Sequence, residues 1–176
     1  QMCIRDRINS LTVDSTGNMR DKKVYTLTVG DETIDLSKKN LGPADVTLLT
    51  VWMQRPEISA VVKKVVISNN IIFGQRLKEG YSTIYEHDID GDMTGWSALC
   101  DALPSSPLEE LIAADIGMGV TGVTSLAKAI SAGAAIEKVN VSGCDVTQEA
   151  AAQLLTAANE ASRARLRAHQ VLAFSE

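Results

Sequence analysis

The chain is short of the residues that usually announce chemistry or covalent bracing. Its 176 residues include two histidines, three cysteines and four prolines. His87 and His169 lie far apart in sequence, and His87 precedes Asp88 on a strand-like pattern. Neighbours on a strand face opposite ways, so no imidazole–carboxylate relay is expected there. Cys3 sits in an atypical N-terminal stretch, which leaves Cys100 and Cys144. That is too few for a disulfide framework and fits a reducing, cytoplasmic setting. Pro43, Pro56, Pro104 and Pro107 are scattered, so no proline-rich linker is present. No apolar run approaches the ~20 residues needed to cross a bilayer, so no membrane association is expected.

Positive charge is also scarce where it would matter. The net charge is −5, and residues 81–162 hold 2 basic against 12 acidic side chains. A surface so acidic is a poor partner for a phosphate backbone, which argues against nucleic acid. The opening "QMCIRDR" (1–7) resembles a translated sequencing-library adapter, so the natural start of the protein is expected to lie elsewhere. The remainder is ordinary: 45% apolar and 22% charged residues, at a length that suits one domain with a real core.

Self-similarity is the strongest signal present. "IGMGVTGVTSLAKAI" (116–130) aligns with "IDGDMTGWSALCDAL" (89–103) at an offset of 27 residues. "LEELIAADIGM" (108–118) aligns with "IEKVNVSGCDV" (136–146) at an offset of 28. Further upstream, "VKKVVISNNII" (62–72) shares the frame through Val62, Val65, Ile67, Asn70 and Ile72, and "IDLSKKNL" (34–41) through Ile34, Leu36 and Leu41. The pattern L-x-x-L-x-L-x-x-N/C-x-L followed by a helix resembles the leucine-rich repeat, most closely the ribonuclease-inhibitor-like class, over residues 31–160. That resemblance implies an α/β solenoid: a curved parallel sheet of about five repeats backed by helices. Residues 8–30 alternate around "STGN" and are expected to form an N-terminal β-hairpin cap. Residues 148–172 are expected to form one long helix capping the other end, with 161–176 as its terminal part. The frame is weakest at two places: "FGQRLKEG" (73–80) leaves no room for a helix, and "YSTIYEHDI" (81–89) puts Glu86 where an apolar residue belongs.

The repeat bears on two tempting motifs. Gly117, Gly119 and Gly122 spell G-x-G-x-x-G between an apolar strand and a helix, the order of a dinucleotide-binding turn. Equivalent places elsewhere hold Asp90, Asp92, Asp145 and Thr147, and only the Gly122 slot stays small, as Gly95 and Ala150. The acidic residue such a site needs about 20 residues further on has no counterpart at a strand end, since Glu137 precedes its strand. No cofactor is therefore expected. Asp88, Asp90 and Asp92 match the first calcium-loop positions of an EF-hand, but Met93 and Leu99 stand where Gly and Glu are required. No metal site is expected beyond weak calcium binding at that turn. Cys144 occupies the asparagine slot of the repeat, a structural position. No catalytic residues are assigned.

The informative surface is the strand face turned away from the core. It comprises Asp35 and Ser37, then Lys64, Val66 and Ser68, then Thr83, Tyr85 and His87, then Glu110, Ile112 and Ala114, then Lys138, Asn140 and Ser142. Val66, Tyr85 and Ile112 recur at one position, an apolar column in a polar frame, as binding surfaces are commonly built. The resemblance implies a non-catalytic, monomeric scaffold that binds a protein through Lys64, Val66, Ser68, Tyr85, His87, Glu110, Ile112, Lys138 and Asn140. Two other readings stand beside it: a regulatory or structural fragment of a larger signalling or enzymatic protein, and a nucleotide-binding α/β domain.

Overall fold

The structure, a computed structural model, describes residues 8–80 and 85–173, with only the backbone given for Tyr85 and for residues 165–173. The chain opens with an antiparallel hairpin, β1 (Ser10–Asp14) and β2 (Val24–Thr28). Alternation decides its faces: Tyr25 and Leu27 are buried while Val24, Thr26 and Thr28 are exposed. There follow β3 (Thr33–Asp35), α1 (Pro43–Met53), α2 (Pro56–Ser59), β4 (Lys64–Val66), β5 (Gln75–Leu77) and β6 (Tyr85–His87). Then come α3 (Thr94–Ala102), a 3-10 turn at Leu103–Ser105, β7 (Glu110–Ile112), α4 (Val120–Ser131), β8 (Lys138–Asn140) and α5 (Gln148–Ala173).

Four strands form one parallel sheet in the order β3-β4-β7-β8. Its middle row, Ile34–Val65–Leu111–Val139, runs in register and points into the core, where the first three are buried. Helices α1, α3, α4 and α5 pack on one another in that order behind this row. The stripe of α4 that meets the sheet is Val123, Leu126, Ala127 and Ile130, all buried. Apolar residues three and four apart share a helix face, which is why this segment reads as an amphipathic helix.

The expected five-unit solenoid does not form. The four parallel strands begin at Thr33, Lys64, Glu110 and Lys138, so the intervals are 31, 46 and 28 residues rather than one fixed period. The long interval holds the reason. Tyr85–His87 leaves the parallel sheet and pairs antiparallel with Gln75–Leu77, and β4 bonds directly to β7 across the gap. Glu86 explains the diversion: in the parallel sheet it would occupy an inward position, whereas beside β5 it reaches Arg76 at 3.2 Å. The result is a mixed α/β domain with one four-stranded parallel sheet, two short antiparallel pairs and five α-helices among the described residues. What does recur is local. A left-handed residue stands three places after each parallel strand: Lys38, Asn69, Asp115 and Gly143.

Two buried polar residues fix the first half. Asp45, 2% exposed, accepts from Thr16 N–H (2.7 Å), Thr16 Oγ1 (2.8 Å), Gly42 N–H (2.8 Å) and the Tyr25 hydroxyl (2.9 Å). It thereby sits at the α1 N-terminus, where a negative charge is favoured, and ties the hairpin to that helix. Asn70 accepts from Leu41 N–H and donates to the Leu36 and Ile67 carbonyls, stitching adjacent turns together.

Candidate functional site

The sheet face opposite the helices carries two rows of side chains. Lys64, Glu110 and Lys138 form the first, on adjacent strands in register. The Lys64 Nζ stands 2.9 Å from Glu110 Oε2, and the Lys138 Nζ 3.5 Å from Glu110 Oε1. The Lys64 ammonium, bonded to it, and then Lys138 hold the Glu110 carboxyl below the ordinary glutamate range. Lys64 and Glu110 are half-buried and Lys138 is exposed, and ion pairs still open to water contribute little stability, so the row is better read as a patterned charge strip than as a brace.

The second row is Asp35, Val66, Ile112 and Asn140. Val66 and Ile112 lie side by side and half-buried, while Asp35 and Asn140 flank them exposed. Both flanking side chains close their own turns: Asp35 accepts from Ser37 N–H at 2.9 Å and Asn140 from Ser142 N–H at 3.0 Å. The Ser37 amide bond is the main reason the Asp35 carboxyl is held below its usual range. Ser68 departs from expectation. It is 6% exposed, with its hydroxyl donating to the Ile112 carbonyl and accepting from Ala114 N–H, so both bonds serve the strand turn.

Tyr85 and His87 do not join this face. Their strand is β6, outside the parallel sheet, so the apolar column of three becomes the pair Val66–Ile112. The Tyr85 side chain, Thr83 and Ile84 lie outside the described residues. His87 is half-buried against Gly117, with Nδ1 left without a hydrogen-bond partner. A Cβ at Gly117 would collide with that ring, and its φ of +78° also favours glycine. Around them Arg76, Glu86, Asp115 and Asp145 rim an open cleft of about 420 Å³ beyond the ends of β7 and β8.

The glycine turn has a different occupant from a dinucleotide. Asp90 Oδ1 accepts from Gly119 N–H (2.8 Å) and Gly122 N–H (3.1 Å), and Asp90 Oδ2 from Thr121 N–H (2.8 Å). These amides form the α4 N-terminus, the place where a bound phosphate would sit, and a carboxylate already fills it. Gly95 and Gly122 both lie in crowded places with unlike neighbours: the Pro43 carbonyl at one, Met118, Asp90 and Phe73 at the other. Trp96 adds a bond from Nε1 to the Gly122 carbonyl at 2.9 Å. Asp92 is likewise engaged, accepting from Thr94 N–H at 2.9 Å, which holds its carboxyl low. Among the described residues, no three His, Cys, Asp or Glu side chains converge as a metal site would require.

The thiols are similarly placed. Cys100 is buried, and burial, with Asp101 nearby, pushes its thiol up to about 12. Cys144 is half-buried, with Sγ 3.4 Å from the Ala113 carbonyl. The capping roles of Asp90 and Asp45 escaped the sequence reading. Asp45 carried a local signal, an acid three places after Gly42 at a helix start with Pro43 between. Asp90 carried none, because the helix it caps lies 30 residues on. No protein-family model matches the chain, and no curated protein matches it.

Proposed function

We propose that the chain is a non-catalytic protein-interaction module that binds its partner through the open face of the parallel sheet. The observation that carries this reading is the Val66–Ile112 pair, apolar and side by side, next to the Lys64–Glu110–Lys138 strip. Apolar anchors beside a polar rim are how interfaces concentrate their binding energy. The partner segment this pattern suits has an apolar side chain to cover Val66 and Ile112 and a carboxylate to meet the outer lysine, Lys138, which is exposed. Four reactive side chains elsewhere fit the same reading, since Asp45, Asp90 and Asp92 accept backbone N–H bonds that close turns or helix starts and Cys100 is buried. The same proposal places the protein in the cytoplasm, where free Cys100 and Cys144 would remain reduced. Among the described residues, no helix is long and apolar enough to cross a membrane.

Site-specific photo-crosslinking tests the reading. A photoreactive residue at Ile112 is expected to form a discrete adduct with one protein, while the same residue at Val51, exposed on α1, forms none. Charge reversal at Lys138 is expected to weaken the Ile112 adduct. Equal labelling from Ile112 and Val51 would overturn the assignment of this face.

A further inference from the structure

The hairpin loop and the turn after β3 meet at Asn40. Its side-chain amide donates to the Asn18 carbonyl at 3.0 Å and the Asp21 carbonyl at 2.8 Å, and accepts from Asn18 N–H at 2.9 Å. The Asn40 carbonyl accepts from Gly17 N–H at 3.1 Å, and the Lys23 ammonium donates to the Lys38 carbonyl at 3.1 Å. The loop tip is thereby fixed on the domain, and its outer side chains are cationic. Arg20, Lys22 and Lys38 are exposed and, among the described residues, make no ion pair, whereas Lys23 faces Asp21 at 3.5 Å. Of the other acids nearby, Asp35 already accepts from Ser37 N–H, and Asp14 lies at the hairpin end opposite Val24. Beside the three free cations Met19 is 82% exposed, more than any other large apolar side chain among the described residues.

We infer that this junction docks a short acidic segment of another protein, with an apolar side chain covering Met19 and carboxylates facing Arg20, Lys22 and Lys38. Opposite charges across an interface steer the encounter and fix its register. Because Asn40 already orders the loop, docking costs less entropy there than on a free loop. The order of the turns along the sheet limits the ligand to a short one. Lys38 N–H donates to Ser68 O, Asn69 N–H to Ala114 O and Asp115 N–H to Ser142 O, so the turns after β3, β4, β7 and β8 stack side by side. Adjacent strands lie ~4.8 Å apart, so Asp115 follows Lys38 at roughly 10 Å. Asp145 belongs to the last of these turns. Both carboxylates are exposed and, among the described residues, without an ion pair. A bilayer or a nucleic acid laid on the cationic turn would carry its phosphates onto these carboxylates as well. A segment of a few residues ends before it reaches them. This surface is distinct from the Val66–Ile112 pair and does not depend on the sheet-face reading.

Fluorescence anisotropy of a labelled peptide of glutamates flanking one leucine, titrated with the purified chain, tests this directly. Binding is expected to saturate and to weaken as salt rises, whereas the same peptide with glutamine in place of glutamate does not saturate. Lys22→Glu and Lys38→Glu are each expected to weaken binding about tenfold, the effect of reversing one charge ~6 Å from a carboxylate in water. Met19→Ser is expected to weaken it while keeping the salt dependence. Lys128→Glu, the same change of charge at an exposed site on α4, is expected to bind like the parent. So is Ile112→Thr, which separates failure here from failure of the sheet-face reading. The circular dichroism spectra of the Lys22, Lys38 and Met19 variants are expected to match the parent, because those side chains are exposed. A glutamate peptide that does not saturate would overturn the proposal. So would Lys22→Glu and Lys38→Glu variants that bind like the parent, a Lys128→Glu variant weakened as much as they are, or tighter binding to phosphatidylserine vesicles or a single-stranded oligonucleotide than to the peptide.

Discussion

Replacing Asp90 tests the claim that the glycine-rich turn is filled by the chain itself. Its carboxylate accepts three backbone N–H bonds at the start of α4. Thr121 is exposed, so water can replace the bond to its amide, whereas Gly119 and Gly122 are buried. Leaving a buried donor unsatisfied costs about 1–3 kcal/mol, and losing a helix cap typically costs ~1 kcal/mol. Asp90 also has a φ of +52°, where glycine is more comfortable than aspartate, so Asp90→Gly recovers part of the loss. The net expectation for Asp90→Gly is about 2–4 kcal/mol of destabilisation. Asn tolerates the left-handed conformation and keeps one oxygen, so Asp90→Asn is expected to cost about 1 kcal/mol. In a domain of this size each kcal/mol lowers Tm by ~2–4 °C. Urea unfolding followed by tryptophan fluorescence is well matched to the question, because Trp96 donates to the Gly122 carbonyl in the same turn. Parent, Asn and Gly proteins should unfold in that order. An Asp90→Gly variant within ~0.5 kcal/mol of the parent would refute the capping role, since that is the range of an inconsequential surface change.

Leu126→Ala removes a fully buried side chain from the α4 stripe and should cost ~2–5 kcal/mol in the same assay. An unchanged midpoint would mean that α4 does not pack on the sheet as described. Glu110, followed by NMR titration, should ionise below the usual glutamate range and move upward in Lys64→Met. Because its folded-state value is depressed, the contribution of this ion pair is complete at neutral pH and is lost as acid protonates the carboxylate. Cys100, buried and with its thiol raised to about 12, should resist a disulfide reagent at neutral pH until the chain unfolds. Fast modification in the folded protein would show that the α3 packing is wrong.

The sequence made the core rows legible and left the pairing order hidden. Ile34, Val65, Leu111 and Val139 could be placed in one row because alternation along a strand fixes which residues point inward. The hairpin around "STGN" and the long C-terminal helix were visible for similar local reasons. The position of residues 85–87 was not. Alternation shows which residues share a face, but it does not show which strand lies alongside. Glu86 was a visible misfit in the inward row, and its resolution required Arg76, which only the folded β5 brings alongside. Lys64, Val66, Glu110, Ile112, Lys138 and Asn140 lie together on the sheet, as the strand pattern indicates. Ser68 obeyed the alternation yet is buried by the turn it closes. Asp90 could not be assigned from sequence, because a side chain that caps a distant helix has no periodic signature.

The proposed partner face exists only if β4 and β7 are immediate neighbours. Backbone NMR contacts between Val65 and Leu111, together with a slowly exchanging Ile67 amide bonded to the Ile112 carbonyl, are the expected result. Contacts from β4 to Tyr85–His87 in their place would put a strand between Val66 and Ile112 and contradict the account.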